Sequence, residues 1–556
     1  MPESMTGKQA LLEMLKAEGV EYIFGNPGTS EAPFIDLLGD YPELRYFLTL
    51  QESVAVGMAE AYARATGRAS FVSLHVDNGL ANGISLMLDA LNTGTPMVVT
   101  SANYDVRKVN ESKTDLAQLV RPVTKWAVEL SHPGQVPSAL RRAFNEANTH
   151  PKGPVYVGLS SNALEGIDEM NLVPSRPAYD DARPSAEGIA RAASLLLDAH
   201  RPIMLIGDRA SDDDANEQAV ELAELLGLAV YQVRGAEVAF PTTHPQFLGN
   251  LSLRAAASRD AVQRADCVLA VGADPFEELF YWGDVILQPD VPLVHVDPDP
   301  SRIGRAEPTD VGIVAHCGRA LAELTAAVRG RLTPASVSAI GERRRAIAAE
   351  ARANREAYEA SVAERWDARP MSPARMMAEL AAALPPDAIV VDDAISNRGP
   401  LRHYIQAASR GDIRAARGGS IGGGIGAAMG AQVAYPGRPV FGVIGDGSAM
   451  MTIQGLWTAA NDDIPCIFVI CNNGMYRVLK TNFNVYQGEV LGLPETSGGR
   501  LPYADFGTPF DVAAIANSMG VHGERITDPA QIKPAVDRAV ASGRPALLDV
   551  VIDGSV

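Results

Sequence analysis

The 556-residue chain has few cysteines, no excess of basic charge and no long apolar run, and each shortage narrows what it does. Its four cysteines, Cys267, Cys317, Cys466 and Cys471, lack paired ligand spacing, so a thiolate metal site is not indicated. Cys466 and Cys471 fall inside an apolar, strand-like run and read as buried free thiols, which suits a reducing cytoplasm. With 48 basic against 67 acidic residues, the formal charge of -19 repels phosphate backbones and offers no nucleic-acid footprint. Any phosphate must then be held by backbone amides or a metal. No stretch approaches roughly 18 uninterrupted apolar residues, and MPESMTGKQALLEMLKAEGV lacks the apolar core of a signal peptide. No membrane span and a cytoplasmic location are expected.

What is present is a folded composition, 47% hydrophobic and 21% charged, with no short-period repeat. The length suggests roughly three domains of about 150 to 200 residues. Strand-like runs (VEYIFGN, ASFVSLHV, TPMVVTSA, GPVYVGL) alternate with helical periods in the first block, which predicts a parallel sheet covered by helices. A proline-rich polar segment near 165–187 marks a boundary. A second block follows with PIMLIGD, LAVYQV, CVLAVGAD and VPLVHVD. Charged, alanine-rich sequence over 336–366 predicts an exposed connecting helix. The third block carries AIVVDDA, PVFGVIGDG, IPCIFVICNN and PALLDVVI. The expected fold class is α/β, with three doubly wound parallel-sheet domains at 1–175, 185–335 and 367–556 joined by the 336–366 helix.

The third block contains the first chemical signal. Gly445-Asp446-Gly447 follows one strand-like run and Asn472-Asn473 ends the next, with helix-like SAMMTIQGLWTAAN between. In a right-handed βαβ unit both strand ends emerge on one edge, so Asp446 and Asn473, 27 positions apart, are brought together there. An Asp carboxylate and an Asn carbonyl are hard oxygen donors suited to Mg²⁺, and the glycines allow close approach of a phosphate. GDG alone is also a common tight turn; the two ends together are far more specific. The stretch RGGSIGGGIGAAMGA reads either as a ligand-approach loop or as close helix packing through small residues. Glu52 follows RYFLTL and opens an apolar helix, where an acid is ordinarily a favourable partner of the helix dipole.

GDG followed at this interval by NN resembles the diphosphate- and metal-binding motif of thiamine diphosphate-dependent enzymes, and QESVAVGMAEAYARATG resembles their catalytic-glutamate region. The resemblance covers nearly the whole chain, in the order pyrimidine-binding, middle and diphosphate-binding domain. It implies Mg²⁺ held by Asp446, Asn473 and the main-chain carbonyl of Met475. Gly445, Gly447, Ser448, Tyr476 and Ser396 would line the diphosphate. Gly419 and Ile421 would flank the aminopyrimidine, with Ile421 bending the cofactor. Asn26, Pro27 and Gly28 would approach the cofactor from the first domain, and Glu52 would activate its pyrimidine ring across a subunit interface, in a homodimer or homotetramer.

FGNPGTSEAPF, SLHVDNG, RPVTKWAVE, PTTHPQFLGN and GLWTAANDDIPCIFVICNNGMY resemble the benzoylformate decarboxylase branch in particular. Thr29 then replaces that branch's substrate-binding serine, and His75 occupies its histidine position. Leu279 or a neighbour stands near the second histidine. The implied activity is non-oxidative decarboxylation of a small-molecule 2-oxo acid, benzoylformate-like or otherwise large, with some carboligation. The alternatives are an acetolactate synthase-like or acyloin-forming enzyme and a non-catalytic diphosphate-binding module. A flavin-containing version is disfavoured because the middle block shows no clear flavin fingerprint. Arg477 and Lys480, just past the metal loop, are candidates to orient an acidic substrate.

Overall fold

The apolar runs of the sequence become the buried strands of three six-stranded sheets in the computed structural model. It describes residues 2–107, 114–176, 182–233, 235, 237–409, 411–415, 419–493 and 501–555. In the first sheet the parallel strands lie in the order Arg45–Leu48, Tyr22–Asn26, Ser70–Leu74, Met97–Asn103, Pro154–Ser160, Trp126–Leu130. The third sheet repeats that order with Ile413–Ala415, Ile389–Asp393, Val440–Gly445, Ile467–Asn472, Ala546–Val551 and His522–Ile526. In both, the strand order reverses beside the first strand of the domain, which opens a ligand crevice at the carboxyl ends. The middle sheet runs Phe247–Leu251, Ala229–Val233, Pro202–Ile206, Cys267–Val271, Leu293–Asp297, Val311–Val314, the order of dinucleotide-binding folds.

Proline in the first turn and a Thr333–Ser336 capping box start the connecting helix Pro334–Ala363, on which only Ile340 and Ile347 are buried. It is the exposed rod expected from its composition. No described helix is long and apolar enough to cross a membrane, and all four cysteines are free and buried.

The outer domains meet through two helices, Glu52–Thr66 and Gly424–Ala434. Gly57 lies against Gly423 and Gly426, and a Cβ on Gly426 would come within 2.8 Å of the Val54 carbonyl oxygen. One on Gly430 would overlap the Met58 carbonyl. The glycine-rich stretch therefore serves close helix packing as well as any ligand approach. A buried ion triad ties in the middle domain: Glu237 accepts from Arg64 at 2.7 Å and from Arg414 at 3.1 Å, one arginine from each outer domain.

Gly430→Ala is expected to destabilise the first unfolding transition by about 1–3 kcal/mol through overpacking. Gly437→Ala, where a Cβ meets nothing within 4 Å, is expected to leave it unchanged. Paired denaturation curves check this.

Candidate active site

Val440–Gly445 and Ile467–Asn472 pair in register, Gly445 opposite Cys471, so the residues after each strand emerge side by side. Asp446 uses both carboxylate oxygens there. Oδ1 accepts from Gly447 N at 2.8 Å, and Oδ2 accepts from Gly474 N at 2.7 Å and Asn473 N at 3.1 Å. Asn473 turns its own Oδ1 onto Met475 N at 3.1 Å, and Gly474 supplies the left-handed backbone that closes the turn, φ +68°. A Cβ on Gly447 would overlap the Tyr476 ring, which rests edge-on against Phe506. The expected meeting of the two motif ends is therefore present as direct hydrogen bonds.

Burial pushes the Asp446 carboxyl up to about 6 despite its three N–H donors, so the site holds an under-compensated anion. Among the described residues no cluster of three or more His, Cys, Asp or Glu is placed to hold a metal. The donors present are one carboxylate, the Asn473 amide oxygen and nearby main-chain carbonyls. That hard, incomplete set fits Mg²⁺, which keeps few protein ligands and completes its shell with phosphate and water.

Ser396, Ile421, Gly445, Ser448, Met475 and Tyr476 line the same cleft as Asp446, Gly447 and Asn473. Gly419, at φ +88°, is not among the residues that line it. Arg477 and Lys480 are committed within the chain: Arg477 donates to the carbonyls of Ser396 at 3.3 Å and Ser555 at 3.0 Å, and Lys480 pairs with Asp505 at 2.5 Å. The cleft also includes Asp393, which sequence reading passed over in favour of Ser396.

The second cluster stands at the matching crevice of the first sheet. Glu52, buried at the start of its helix, accepts from Asn26 Nδ2 and Asn82 Nδ2, each at 2.9 Å. A Cβ on Gly79 would come within 2.8 Å of both Glu52 Oε1 and His75 Cβ, so these two flank one glycine. His75 Nδ1 lies 3.0 Å from Glu31 Oε2 and 3.1 Å from Ser30 Oγ. Glu31 is fully buried and accepts from Gly28 N and Ala102 N at 2.9 and 2.8 Å. The tautomer with its proton on Nδ1 lets His75 donate to the Glu31 carboxylate and leaves Nε2 outside this pair.

Thr29 is exposed, and the hydroxyl that touches His75 belongs to Ser30. Pro27 sits between Asn26 and Gly28 in the same loop, and Leu279 is 74% exposed on a middle-domain loop. Ser30 and Glu31 were missed; their signal was a carboxylate three residues after a glycine turn, within FGNPGTSE. Among the described residues no hydrogen bond joins the Glu52 cluster to the Asp446 cluster.

Glu31→Gln keeps the shape but removes the charge. It is expected to cost about 1–3 kcal/mol and to abolish the single His75 tautomer in ¹⁵N NMR. Burial, with Glu60 nearby, raises Asp89 to about 8, and burial raises Asp393 to about 6. Arg64 opposes the shift at Asp89, and the Ser448 hydroxyl opposes that at Asp393. Between their unfolded values near 4 and these folded values the native state binds more protons, so cofactor-free stability falls as pH rises from about 4 to 8. Thermal midpoints across that range check the sign, and Asp89→Asn is expected to flatten the upper part.

Three family models match the chain in order: the thiamine pyrophosphate enzyme N-terminal TPP binding domain over residues 5–121, the central domain over 189–324 and the C-terminal TPP binding domain over 399–550. The benzoylformate decarboxylase of Pseudomonas aeruginosa is 32% identical, with 98% of each chain covered. A probable acetolactate synthase large subunit of Methanocaldococcus jannaschii is 28% identical, covering 99% of this chain and 92% of that one. Among solved structures, a Rhodococcus jostii RHA1 thiamine diphosphate-dependent 4-hydroxybenzoylformate decarboxylase superposes with TM-score 0.83 at 28% identity over 99% of both chains. With the motif ends locked together at one crevice and a buried glutamate at the other, the chain belongs to the thiamine pyrophosphate enzyme family.

Proposed function

We propose that the protein is a thiamine diphosphate- and Mg²⁺-dependent decarboxylase that releases an aldehyde from benzoylformate or another large 2-oxo acid, with carboligation as a side reaction. The observation that carries this reading is Glu52, a buried acid held by two asparagine amides beside a histidine. Binding a diphosphate alone needs no such group, which speaks against a non-catalytic module.

In this reading Asp446, Asn473 and the Met475 carbonyl hold Mg²⁺. Gly445, Gly447, Ser448, Ser396 and Tyr476 receive the diphosphate, and Gly419 and Ile421 flank the aminopyrimidine. Asn26, Pro27 and Gly28 of a second copy approach from the opposite side. When bound, the cofactor would supply a carbanion equivalent and an electron sink for the pair left behind as CO₂ departs. The Glu52 carboxyl would hydrogen-bond the pyrimidine ring, and the asparagines fix its geometry. His75, oriented by Glu31, moves a proton at Nε2, and the Thr29 and Ser30 hydroxyls orient the substrate carboxylate. Among the described residues no hydrogen bond joins the Glu52 and Asp446 clusters within one chain, and the family resemblance implies a homodimer or homotetramer with sites between copies. The buried free thiols support a cytoplasmic location.

The acetolactate synthase relative supports a second reading, in which a second carbonyl compound intercepts the reaction before an aldehyde leaves. A flavin-bearing variant is less well supported. The middle block shows no clear flavin fingerprint in its sequence.

With Mg²⁺ and thiamine diphosphate, benzoylformate is expected to yield CO₂ and aldehyde in equal amounts. A ligated product from pyruvate without free aldehyde moves the assignment to the second reading. Glu52→Gln is expected to lower turnover by about 10²-fold or more while calorimetric cofactor affinity stays within a few fold; unchanged turnover removes the glutamate from the mechanism.

A further inference from the structure

Ile421 lines the cleft that holds Asp446, and the loop bearing it is gripped from two domains. On one side Asp393, at the end of its strand, accepts through Oδ2 from Gly424 N at 2.9 Å, from Gly422 N at 3.2 Å and from the Ser448 hydroxyl. Gly422 N also reaches Ser448 Oγ at 2.8 Å, and Thr452 Oγ1 donates to the Gly422 carbonyl at 2.6 Å. On the other side is the helix Asp77–Thr93 of the first domain. Its Ser85 Oγ meets Ser420 Oγ at 2.9 Å, the Ser420 hydroxyl donates to the Ser85 carbonyl at 3.1 Å, and Asp89 Oδ1 accepts from Ser420 N at 3.4 Å.

We infer that Asp393 and Asp89 are positioning residues that hold the Ser420–Gly424 loop, and Ile421 with it, in the shape the cofactor needs. This rests on the proposed function for what Ile421 meets; the grip itself does not. Three considerations carry it. Both carboxyl groups are buried, so their bonds to loop amides are shielded from competing water. The loop has little other freedom, because Gly422 adopts φ +98° and a Cβ there would come within 2.6 Å of Met451 Cβ. Finally, Asp393 and Asp89 line one small cavity of about 30 Å³ between the outer domains, so the two grips share a single chamber. The helix that carries Asp89 also presents Asn82 to Glu52, which mounts the buried acid and the loop on one rigid rod.

The test is hydrogen exchange on the cofactor-free full chain, comparing peptides over 419–424 with strand 440–445, together with calorimetric thiamine diphosphate binding in Mg²⁺. Asp393→Ala and Asp89→Leu are expected to speed exchange in the loop about tenfold, to leave 440–445 unchanged and to weaken cofactor binding about tenfold. Asp89→Asn keeps an acceptor oxygen and is expected to restore both readings to near wild type. Unchanged loop exchange in the first two variants overturns the inference. So does a uniform rise across the C-terminal domain, or wild-type cofactor affinity beside a loosened loop. A wild-type protein that binds no thiamine diphosphate defeats the proposed function instead, and loop exchange still decides whether the grip exists.

Discussion

Two helices in near backbone contact set the geometry of everything else in this protein. Glu52–Thr66 begins with the buried acid, and Gly424–Ala434 begins where the Ile421 loop ends. Their distance is fixed by glycines that leave no room for a side chain at the crossing. A helix pair packed on ordinary side chains would stand 8–10 Å apart and tolerate some sliding. Packed on Gly57, Gly426 and Gly430, it has one seating. The small residues thus do architectural work, although their spacing imitates a nucleotide fingerprint.

The same logic explains the charged seam between domains. Glu237, Arg64 and Arg414 are removed from water, and breaking such a buried set is far more damaging than its formation is favourable. Its contribution is to specify which faces meet. Arg209, with Asp274 and Asp297, forms a second such set within the middle domain.

The strands legible in the sequence were mostly the central ones. Val440–Gly445, Ile467–Asn472 and Met97–Asn103 are covered on both faces and read as continuous apolar runs. Trp126–Leu130, Phe247–Leu251, Val311–Val314, Ile413–Ala415 and His522–Ile526 were not read, and all five lie on sheet edges. His522–Ile526 shows why: HGERI has one buried residue, and its pairing is decided by Ala546–Val551 beside it. The site divided similarly. Asp446 and Asn473 were legible because a βαβ unit dictates where strand ends go. Glu31, Asp89 and Asp393 were not, because each acquires its meaning from a partner dozens or hundreds of residues away, Ala102, Ser420 and Ser448.

The connecting helix is riveted at both ends. Arg343 donates to the Gly227 carbonyl at 2.9 Å and the Ala199 carbonyl at 3.2 Å in the middle domain. Farther along, the Tyr358 ring packs tilted against His403 with centroids 4.0 Å apart, and Glu359 meets the same ring at 2.7 Å in the third domain. Rivets on a helix keep phase. One residue inserted between them turns the far rivet by about 100° and advances it about 1.5 Å, so the rod's length admits no gradual drift. Whole-turn changes alone preserve the alignment of the two faces, which makes this surface rod as constrained in length as any core strand.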